Sequence, residues 1–400
     1  MDSLKELFKI GNGPSSSHTM GPERAAKQFK AKHPDIKNFK VELYGSLALT
    51  GKGHLTDWII IETLKPAATE IIWKPTYIHP YHTNGMKFIA VDDSGKEVDT
   101  WLVFSVGGGI IMEENQPRSG GSTVYPHGTT DEIKKWCETE KKELWEYVEA
   151  YEGKEIWDFL KTIWEAMEAA VERGISTSGV IPGTLKVARR AQTFYRKARQ
   201  NQSRTGFVGR TFAYTLAVSE ENGAGGRVVT APTCGAGGVI PGLLYSLKEE
   251  YKLSIEEILK GLAVAGIIGN IIKENATISG AEGGCQAEVG SACAMAAAMT
   301  CFLLGGSLEQ IEYAAEVGLE HHLGLTCDPI GGYVQIPCIE RNAVAATRAL
   351  DAATYSLYTD GKHLISFDQV VQIMKITGRD MKEEYRETSL GGLAILQTGC

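Results

Sequence analysis

The sequence predicts an α+β fold in which an N-terminal domain of mixed α and β structure precedes a mostly helical domain. Apolar and polar residues alternate with period two over 39–44, 86–91 and parts of 98–106, as half-buried strands require. From residue 131 onward, long helical periodicities dominate instead. A chain of 400 residues is also longer than one hydrophobic core usually organises. These observations indicate two domains of different architecture.

The domain boundaries follow from a change in composition after the loop at 125–128. The first domain, 1–130, contains the strands and a helix predicted over 53–64. A charged helical segment, 131–152, is typical of a linker. The second domain covers 153–400 and includes the C-terminal tail. After residue 130 the periodicity predicts helices over 131–150, 155–173, 184–202, 254–275, 284–304, 307–321 and 339–358.

The composition is that of an ordinary globular protein, with 43% hydrophobic and 22% charged residues. A net charge of −8 argues against nucleic acid or an anionic membrane as the main partner, because both bind basic surfaces. The apolar runs 261–272 and 292–305 are shorter than the roughly 20 residues that span a bilayer, so they predict buried core helices. The N-terminal stretch MDSLKELFKIGNG lacks the apolar segment of a secretion signal, and we therefore expect a cytoplasmic protein. Because the net charge argues against large anionic partners, we expect the ligand to be a small molecule.

A hydroxyl-rich loop, GPSSSHTMGPE at 13–23, precedes a helix that starts near Pro22. Hydroxyls and backbone amides at a helix N-terminus can receive an anion such as a carboxylate. The alternative is a serine-rich loop that only caps the helix. The residues concerned are Ser15, Ser16, Ser17, His18 and Thr19.

Two further histidines lie in loops of the first domain. His54 lies in a loop with glycines on its N-terminal side, just before a helix, an exposed position where an imidazole can take up a proton near neutral pH. His82 precedes Asn84 in the motif HTNGM, and both histidines can equally be bystanders. The glycines around Gly108, in SVGGGII, can cradle a phosphate, but the lysine of a P-loop does not follow them.

The eight cysteines fall into different settings. In a reducing compartment they are expected to serve packing, metal binding or catalysis rather than disulfides. Cys293 and Cys301 lie in an alanine-rich helical run and are predicted to be core residues. No two cysteines form a CxxC pair. Three others lie at breaks in helices, where side chains can point together: Cys285, Cys327 and Cys338.

The motifs together resemble one family, the iron–sulfur-dependent, single-chain bacterial L-serine dehydratases, also called L-serine ammonia-lyases. The resemblance covers nearly the whole chain in order. It rests on KELFKIGNGPSSSHTMGP, YGSLALTGKGH, HTNGM, SVGGG, SGVIPGTLKVARRA, GRVVTAPT, GGCQAEVGSAC and EHHLGLTCDPIGGYVQIPCIERNA.

This resemblance implies a cofactor and an activity. In the family, three cysteines bind a [4Fe-4S] cluster, and the matching positions are Cys285, Cys327 and Cys338. A C-terminal cysteine of the family folds back to the fourth iron, and Cys400 matches it. The implied reaction converts L-serine to pyruvate and ammonia in amino-acid catabolism and gluconeogenesis. The resemblance also implies an oxygen-sensitive homodimer whose N-terminal α/β sandwich domain is followed by a helical iron–sulfur catalytic domain at 153–400.

The resemblance also implies roles for the first domain at 1–130, which would carry the base and bind substrate. His54 would remove the α-proton, with His82 and His18 lining the same site. The substrate carboxylate would be held by the loop containing Ser15, Ser16, Ser17 and Thr19, with Asn84 and Gly108 nearby. The iron would act as a Lewis acid on the substrate hydroxyl. Such a site would lie between the two domains.

Other functions stay open. The chain has Cys234 where the family usually has asparagine, and a thiol is a weaker hydrogen-bonding group than an amide. The substrate can therefore be threonine, cysteine or another β-substituted amino acid. A pyridoxal-phosphate lyase that uses the glycines 107–109 is a rival chemistry. A non-catalytic iron–sulfur amino-acid sensor would be indicated by the loss of His54 or of a cluster cysteine, and neither is lost.

Overall fold

A computed structural model describes residues 1–114, 123–201 and 203–396. Its first part contains a five-stranded sheet covered by helices, and its second part is predominantly helical. The predicted α+β class, with a helical region after the sheet, is confirmed. Cys400 lies outside the described residues.

The described residues form these helices: α1 Gly21–Lys32, α2 Gly45–Thr50, α3 Thr56–Leu64, α4 Thr130–Glu140, α5 Leu144–Glu152, α6 Ile156–Ser176, α7 Ala191–Arg199, α8 Arg204–Gly223, α9 Val239–Tyr251, α10 Ile255–Asn275, α11 Gly280–Gly283, α12 Ser291–Leu303, α13 Leu308–Glu320, α14 Cys338–Leu357 and α15 Phe367–Asp380. The strands are β1 Ile10–Asn12, β2 Asn38–Tyr44, β3 Ala68–Lys74, β4 Gly85–Val91, β5 Glu97–Gly107, β6 Ile110–Met112 and β7 Arg227–Val229. Two π-helical turns, Ser16–Met20 and Gln286–Gly290, precede α1 and α12.

The five-stranded sheet has the order β3-β2-β4-β5-β6, with β2 and β3 parallel and the other pairs antiparallel. Its alternating strands β2, β4 and β5 correspond to the three predicted ones. The sequence did not predict β3, because three apolar residues in a row, 71–73, hide its alternation. Helices α1 and α3 cover the sheet through a core that includes Phe29, Val41, Ile60 and Phe88.

The helical region is organised around α10 and α12, which are buried on nearly every side. They contain the two apolar runs that predicted core helices. No described helix is long and apolar enough to cross a membrane. Around α12 pack α9, α10, α13 and α14. The large core of this region is therefore built mainly from alanine, isoleucine and leucine side chains.

Segments before residue 153 also enter this larger core. Helices α4 and α5, in the segment expected as a linker, contribute Ile133, Leu144 and Val148. The N-terminal residues Leu4 and Phe8 belong to it as well. Strand β1 pairs antiparallel with β7, a short strand inside the helical region. The domain boundaries at 130 and 152 stay a prediction.

Several helical segments differ from the predicted ones. The helix predicted over 131–150 is divided into α4 and α5, because Lys141 has a positive φ of 54° that ends α4. In the helix predicted over 284–304, a π-helical turn precedes α12. The helix predicted over 184–202 is shorter, α7, because Lys186 has a positive φ of 51° and Ala188 bridges to Val180. Helix α8 was not predicted, and Gly206 and Gly209 interrupt its pattern. Helix α15 was also not predicted, although its Ser366 forms a capping box with Gln369.

Candidate active site

An enclosed cavity lies where the sheet domain meets the helical region. Segments far apart in the chain form its wall: the hydroxyl-rich loop, the loop before α3, the π-helical turn before α12, the chain between α13 and α14, and a segment after α15. Side chains in the wall include Ser15, His54, Cys285, Glu288, Cys327, Cys338 and Glu387. Five of the sequence-predicted site residues line the cavity: Ser15, His54, Cys285, Cys327 and Cys338.

Three buried thiols face this cavity. Cys285 follows Gly284, whose positive φ of 71° ends α11, and it precedes the π-helical turn. Cys338 is the first residue of α14. Cys327 lies in the connection between α13 and α14, where its backbone bridges to Arg386. Because two thiols lie where helical turns start and the third lies in a connection between helices, the three can approach one point.

A guanidinium supports this thiol group. Arg341, one turn into α14, donates from Nη1 to the Thr326 carbonyl over 2.5 Å and from Nη2 to Asp328 Oδ1 over 3.1 Å. The hydrogen bond with Cys327, assisted by the Arg341 guanidinium, lowers the pKa of Cys285 against the effect of burial. Burial raises the pKa of Cys338. The cavity thus favours one thiolate among the three thiols.

A half-buried carboxyl, Glu288, lies beside the thiols, and it was not predicted from the sequence. Its Oε1 accepts a hydrogen bond of 2.8 Å from Thr233 Oγ1, and its Oε2 lies 3.9 Å from Cys327 Sγ. Burial raises its pKa to about 7. A signal was present, because Glu288 is the only charged residue over 283–308, a stretch rich in alanine and glycine.

Two histidine rings stack on the opposite side of the cavity, His18 and His54, with centroids 4.5 Å apart. Only 1% of His54 is exposed, so the expectation that it lies at an exposed position was wrong. Its loop packs against the chain between Cys327 and Cys338, where a Cβ on Gly53 would come within 2.5 Å of the Gly332 carbonyl oxygen. Glycine at 53 permits this contact and thereby buries the imidazole.

The hydrogen bonds assign the protons on both rings. His54 Nδ1 lies 2.9 Å from the Thr50 carbonyl, which can only accept, so Nδ1 carries the proton and Nε2 is free to accept one. Ser46 Oγ donates to the Glu387 carbonyl and therefore accepts from His18 Nε2 at 3.1 Å. His18 Nδ1 then accepts from Ser17 Oγ at 2.8 Å.

Burial keeps both rings neutral. It lowers the pKa of His54 to about 4 and holds the pKa of His18 well below its usual range. The neutral His54, with its Nε2 lone pair directed to the cavity side, has the protonation state that a general base requires.

Glu387 was not predicted from the sequence, where the charged stretch 379–387 conceals it. Its Oε1 lies 3.5 Å from His18 Nδ1 and 3.6 Å from His54 Nε2. Its backbone amide donates to the Cys327 carbonyl over 2.9 Å, so the segment after α15 is attached to the thiol-bearing chain. Burial, together with the neighbouring Glu288, raises the pKa of Glu387.

The hydroxyl-rich loop caps a helical turn, which is one of the two roles that the sequence left open, and it also reaches the cavity. Ser15 caps the π-helical turn by accepting from the His18 amide over 3.1 Å, and it also lines the cavity. Thr19 Oγ1 donates to the His54 carbonyl over 2.8 Å and so positions the loop that holds that histidine. Ser17 orients His18 through its hydrogen bond to Nδ1, and the Ser16 side chain is buried.

His82, Asn84 and Gly108 lie beside the cavity, outside the wall formed by the described residues. His82 lines an open cleft, and its Nε2 is 3.2 Å from Glu282 Oε1. Asn84 donates to the Ser105 carbonyl over 3.2 Å, while its buried Oδ1 has no hydrogen-bond partner among the described residues. Gly108 lies in the tight connection from β5 to β6 with a φ of 56°.

Cys234 belongs to a different environment. Its Sγ contacts Met20 Sδ at 3.3 Å, within a small apolar cluster that includes Val171 and Tyr214. Burial raises its pKa far above the range of a reactive thiol. Its neighbour Gly235 lines the cavity, but the thiol itself is not part of the wall that the described residues form.

The fold and the site together define an α+β protein whose buried, thiol-rich cavity is equipped for acid–base chemistry. The chain belongs to the serine dehydratase family. Residues 84–394 match the serine dehydratase alpha chain, and residues 3–70 match the serine dehydratase beta chain. Both matches fall within one polypeptide, and they confirm the resemblance found in the motifs.

Curated relatives are similar over their full length. The chain is 42% identical to the L-serine dehydratase of Streptomyces coelicolor, over 98% of both proteins. It is 40% identical to the L-serine dehydratase of Haemophilus influenzae, over 99% of both. It is also 40% identical to L-serine dehydratase 2 of Escherichia coli, over 100% of both.

Proposed function

We propose that the chain is an L-serine ammonia-lyase, which converts L-serine to pyruvate and ammonia. The relatives that share its full length carry the name L-serine dehydratase. The observation that carries the proposal is the placement of a neutral, buried His54 in the wall of a cavity that also holds three thiols. An acid–base group and a set of soft metal ligands face the same small space.

The thiols fit an iron–sulfur cluster by their chemistry. Such clusters are held by cysteine thiolates, and Cys285, Cys327 and Cys338 are buried in one wall with Arg341 beside them. These three residues would hold a [4Fe-4S] cluster, and Cys400 is the proposed fourth residue from the family resemblance. When bound, the cluster supplies a Lewis acid for the substrate hydroxyl.

The residues of the chain have the remaining tasks. His54 Nε2 accepts the α-proton of L-serine, while its Nδ1–H bond to the Thr50 carbonyl fixes the ring. Ser15 and the adjoining hydroxyls and amides of its loop bind the substrate carboxylate. Loss of the α-proton and the β-hydroxyl releases water and leaves aminoacrylate. Aminoacrylate tautomerises, and its hydrolysis gives pyruvate and ammonia.

Serine is preferred over threonine and cysteine because the residue that suggested another substrate is absent from the described wall of the cavity. Cys234, the departure that suggested another substrate, packs against Met20 instead of facing the cavity. A pyridoxal-phosphate mechanism requires a lysine, and the described wall of the cavity contains none. The homodimer and the cytoplasmic location stay predictions, and the mass in solution tests the first.

The direct experiment measures pyruvate formation from L-serine by anaerobically purified protein, before and after exposure to air. We expect activity that disappears as iron is lost. Activity that survives the loss of iron would overturn the metal mechanism and favour pyridoxal phosphate. A stable cluster without pyruvate would indicate a sensor, or another substrate such as L-cysteine, for which sulfide release is the readout.

A further inference from the structure

Hydrogen-bond acceptors without donors meet at the histidine side of the cavity. Glu387 Oε2 is buried and has no hydrogen-bond partner among the described residues. His54 Nε2 carries a lone pair and lies 3.6 Å from Glu387 Oε1. His18 Nδ1, at 3.5 Å, already accepts a bond from Ser17. Buried polar atoms are normally satisfied, so an unpartnered carboxylate oxygen at this place indicates a missing donor.

Two carboxyl groups, those of Glu387 and Glu288, lie in the wall of the cavity. The nearby cation, Arg341, is already committed to Asp328 and the Thr326 carbonyl. Both imidazoles are neutral. A carboxylate in such surroundings is stabilised by a ligand that brings a positive charge and several donors.

A primary ammonium group meets this requirement. It carries one positive charge and three N–H donors, whereas a hydroxyl offers a single donor and no charge. Hydrogen bonds between charged partners are roughly twice as strong as those between neutral ones. The two histidines and Glu387 are also a donor set for a divalent cation. However, His18 Nδ1 is occupied by Ser17, which leaves an incomplete set of ligands for a metal.

We propose that Glu387 binds the α-ammonium group of the amino-acid substrate and thereby makes the cavity select amino acids over hydroxy acids. The inference rests on the proposed function, since it takes an amino acid as the ligand of this cavity. It is consistent with the position of the base, because His54 Nε2 next to Glu387 would face the carbon that bears the ammonium group. Glu387 is thus a specificity-determining residue that touches substrate.

The test compares two ligands that differ only in this group. L-alanine and L-lactate share their carbon skeleton, but the first has an ammonium group where the second has a hydroxyl, and neither carries a β-hydroxyl that can be eliminated. Ligand-observed NMR titration of the anaerobic, cluster-loaded protein gives both dissociation constants. We expect the wild-type protein to bind L-alanine more tightly than L-lactate.

The variant Glu387→Gln keeps the shape of the side chain and removes its charge. It should weaken L-alanine binding about 10- to 100-fold, the effect of losing one charged hydrogen bond, and change L-lactate binding by less than about threefold. Glu384→Gln, an exposed position three residues earlier in the same segment, is the matched control and should change neither. If Glu387→Gln does not fold, Glu387→Asp should still prefer L-alanine over L-lactate.

Several results would overturn the inference. One is an equal loss of affinity for both ligands, which indicates a structural role. Others are an unchanged affinity for L-alanine, a wild-type protein without preference, or Mn²⁺ binding that depends on Glu387 and does not compete with L-alanine. Pyruvate formation is measured separately. Protein that prefers L-alanine but makes no pyruvate would contradict the proposed function alone, whereas active protein with an unaffected Glu387→Gln variant would contradict only the role of Glu387.

Discussion

The cavity and the core around α12 are both buried, but they are built in opposite ways. The core uses continuous helices whose alanine, isoleucine and leucine side chains pack together, and Cys293 and Cys301 are two such core residues. The cavity wall is assembled from the ends of helices and the connections between them, and its thiols lie in these places. An unbroken helix fixes the direction of each side chain, whereas interrupted backbone allows thiols from separate segments to converge. The same residue type therefore serves packing in one region and, in the proposed function, ligand binding in the other.

The largest effect is expected when one of the three cavity thiols is removed. Cys327→Ser should abolish iron binding and lower pyruvate formation by on the order of a thousandfold, because a hydroxyl is a poor iron ligand and the Lewis acid is lost. Iron content and a pyruvate assay on anaerobic protein give the readout. Cys301→Ser, in the core, is the control. Full iron content in Cys327→Ser would show that this thiol is not a ligand.

The second substitution tests the other side of the cavity. His54→Asn retains a group of similar size that can still donate to the Thr50 carbonyl, but it removes the base. We expect the rate constant for L-serine turnover to fall about 10²- to 10⁴-fold with iron content unchanged. His321→Gln, at a half-exposed position at the end of α13, should have no effect. Turnover within threefold of the wild-type value would reassign the base.

The cavity also predicts how stability depends on pH. Burial lowers the pKa of His54 from 6.5 to about 4 and that of His18 in the same direction. The unfolded chain therefore binds more protons between these values, and stability is lost as the pH falls from about 6.5 toward 4. For His54 alone, the free energy of unfolding should decrease by about 2 kcal/mol between pH 7.5 and pH 5. Urea unfolding of the wild-type protein and His54→Asn measures the difference, and identical pH dependence in the two would contradict it.

The smallest effect is expected in the core. Cys293→Ser places a hydroxyl among apolar neighbours in α12, which should cost about 1–3 kcal/mol of unfolding free energy. Iron content and turnover at 20 °C, a temperature ~25 °C below the lowest usual melting range, should not change. Thermal unfolding and iron analysis provide the measurements. Loss of iron in this variant would mean that the core and the cavity are not separate in function.

Local sequence pattern accounts for a large part of the fold and for part of the site. The α+β class was predicted correctly, since alternation and helical periodicity are local signals. The family was predicted correctly from its sequence motifs. Cys285, Cys327 and Cys338 were selected because Gly284, Asp328 and Pro337 mark irregular backbone next to them, and the structure brings all three to one cavity.

The missed features depend on contacts between distant segments. His54 was expected to be exposed, because a loop with flanking glycines gives no sign of the Gly332 carbonyl that packs on it. Glu387 could not be predicted for the same reason. A backbone bridge to Cys327, 60 residues earlier in the chain, places its side chain at the cavity. Glu288 could have been found, because a single charge in an apolar stretch must have a buried partner. Long-range pairing is not contained in a local pattern.

The bridge between Cys327 and Arg386 has a consequence for how the protein is made. The bridge and Glu387 belong to a segment that follows α15, so a ribosome completes it after every helix of the structure described above. A nascent chain that ends at residue 380 would contain Cys285, Cys327 and Cys338. It would lack Arg386, which bridges to Cys327, and the Glu387 carboxyl beside His54. The cavity is therefore finished late in biosynthesis, and a prematurely terminated chain would carry the thiols in an open, incomplete pocket.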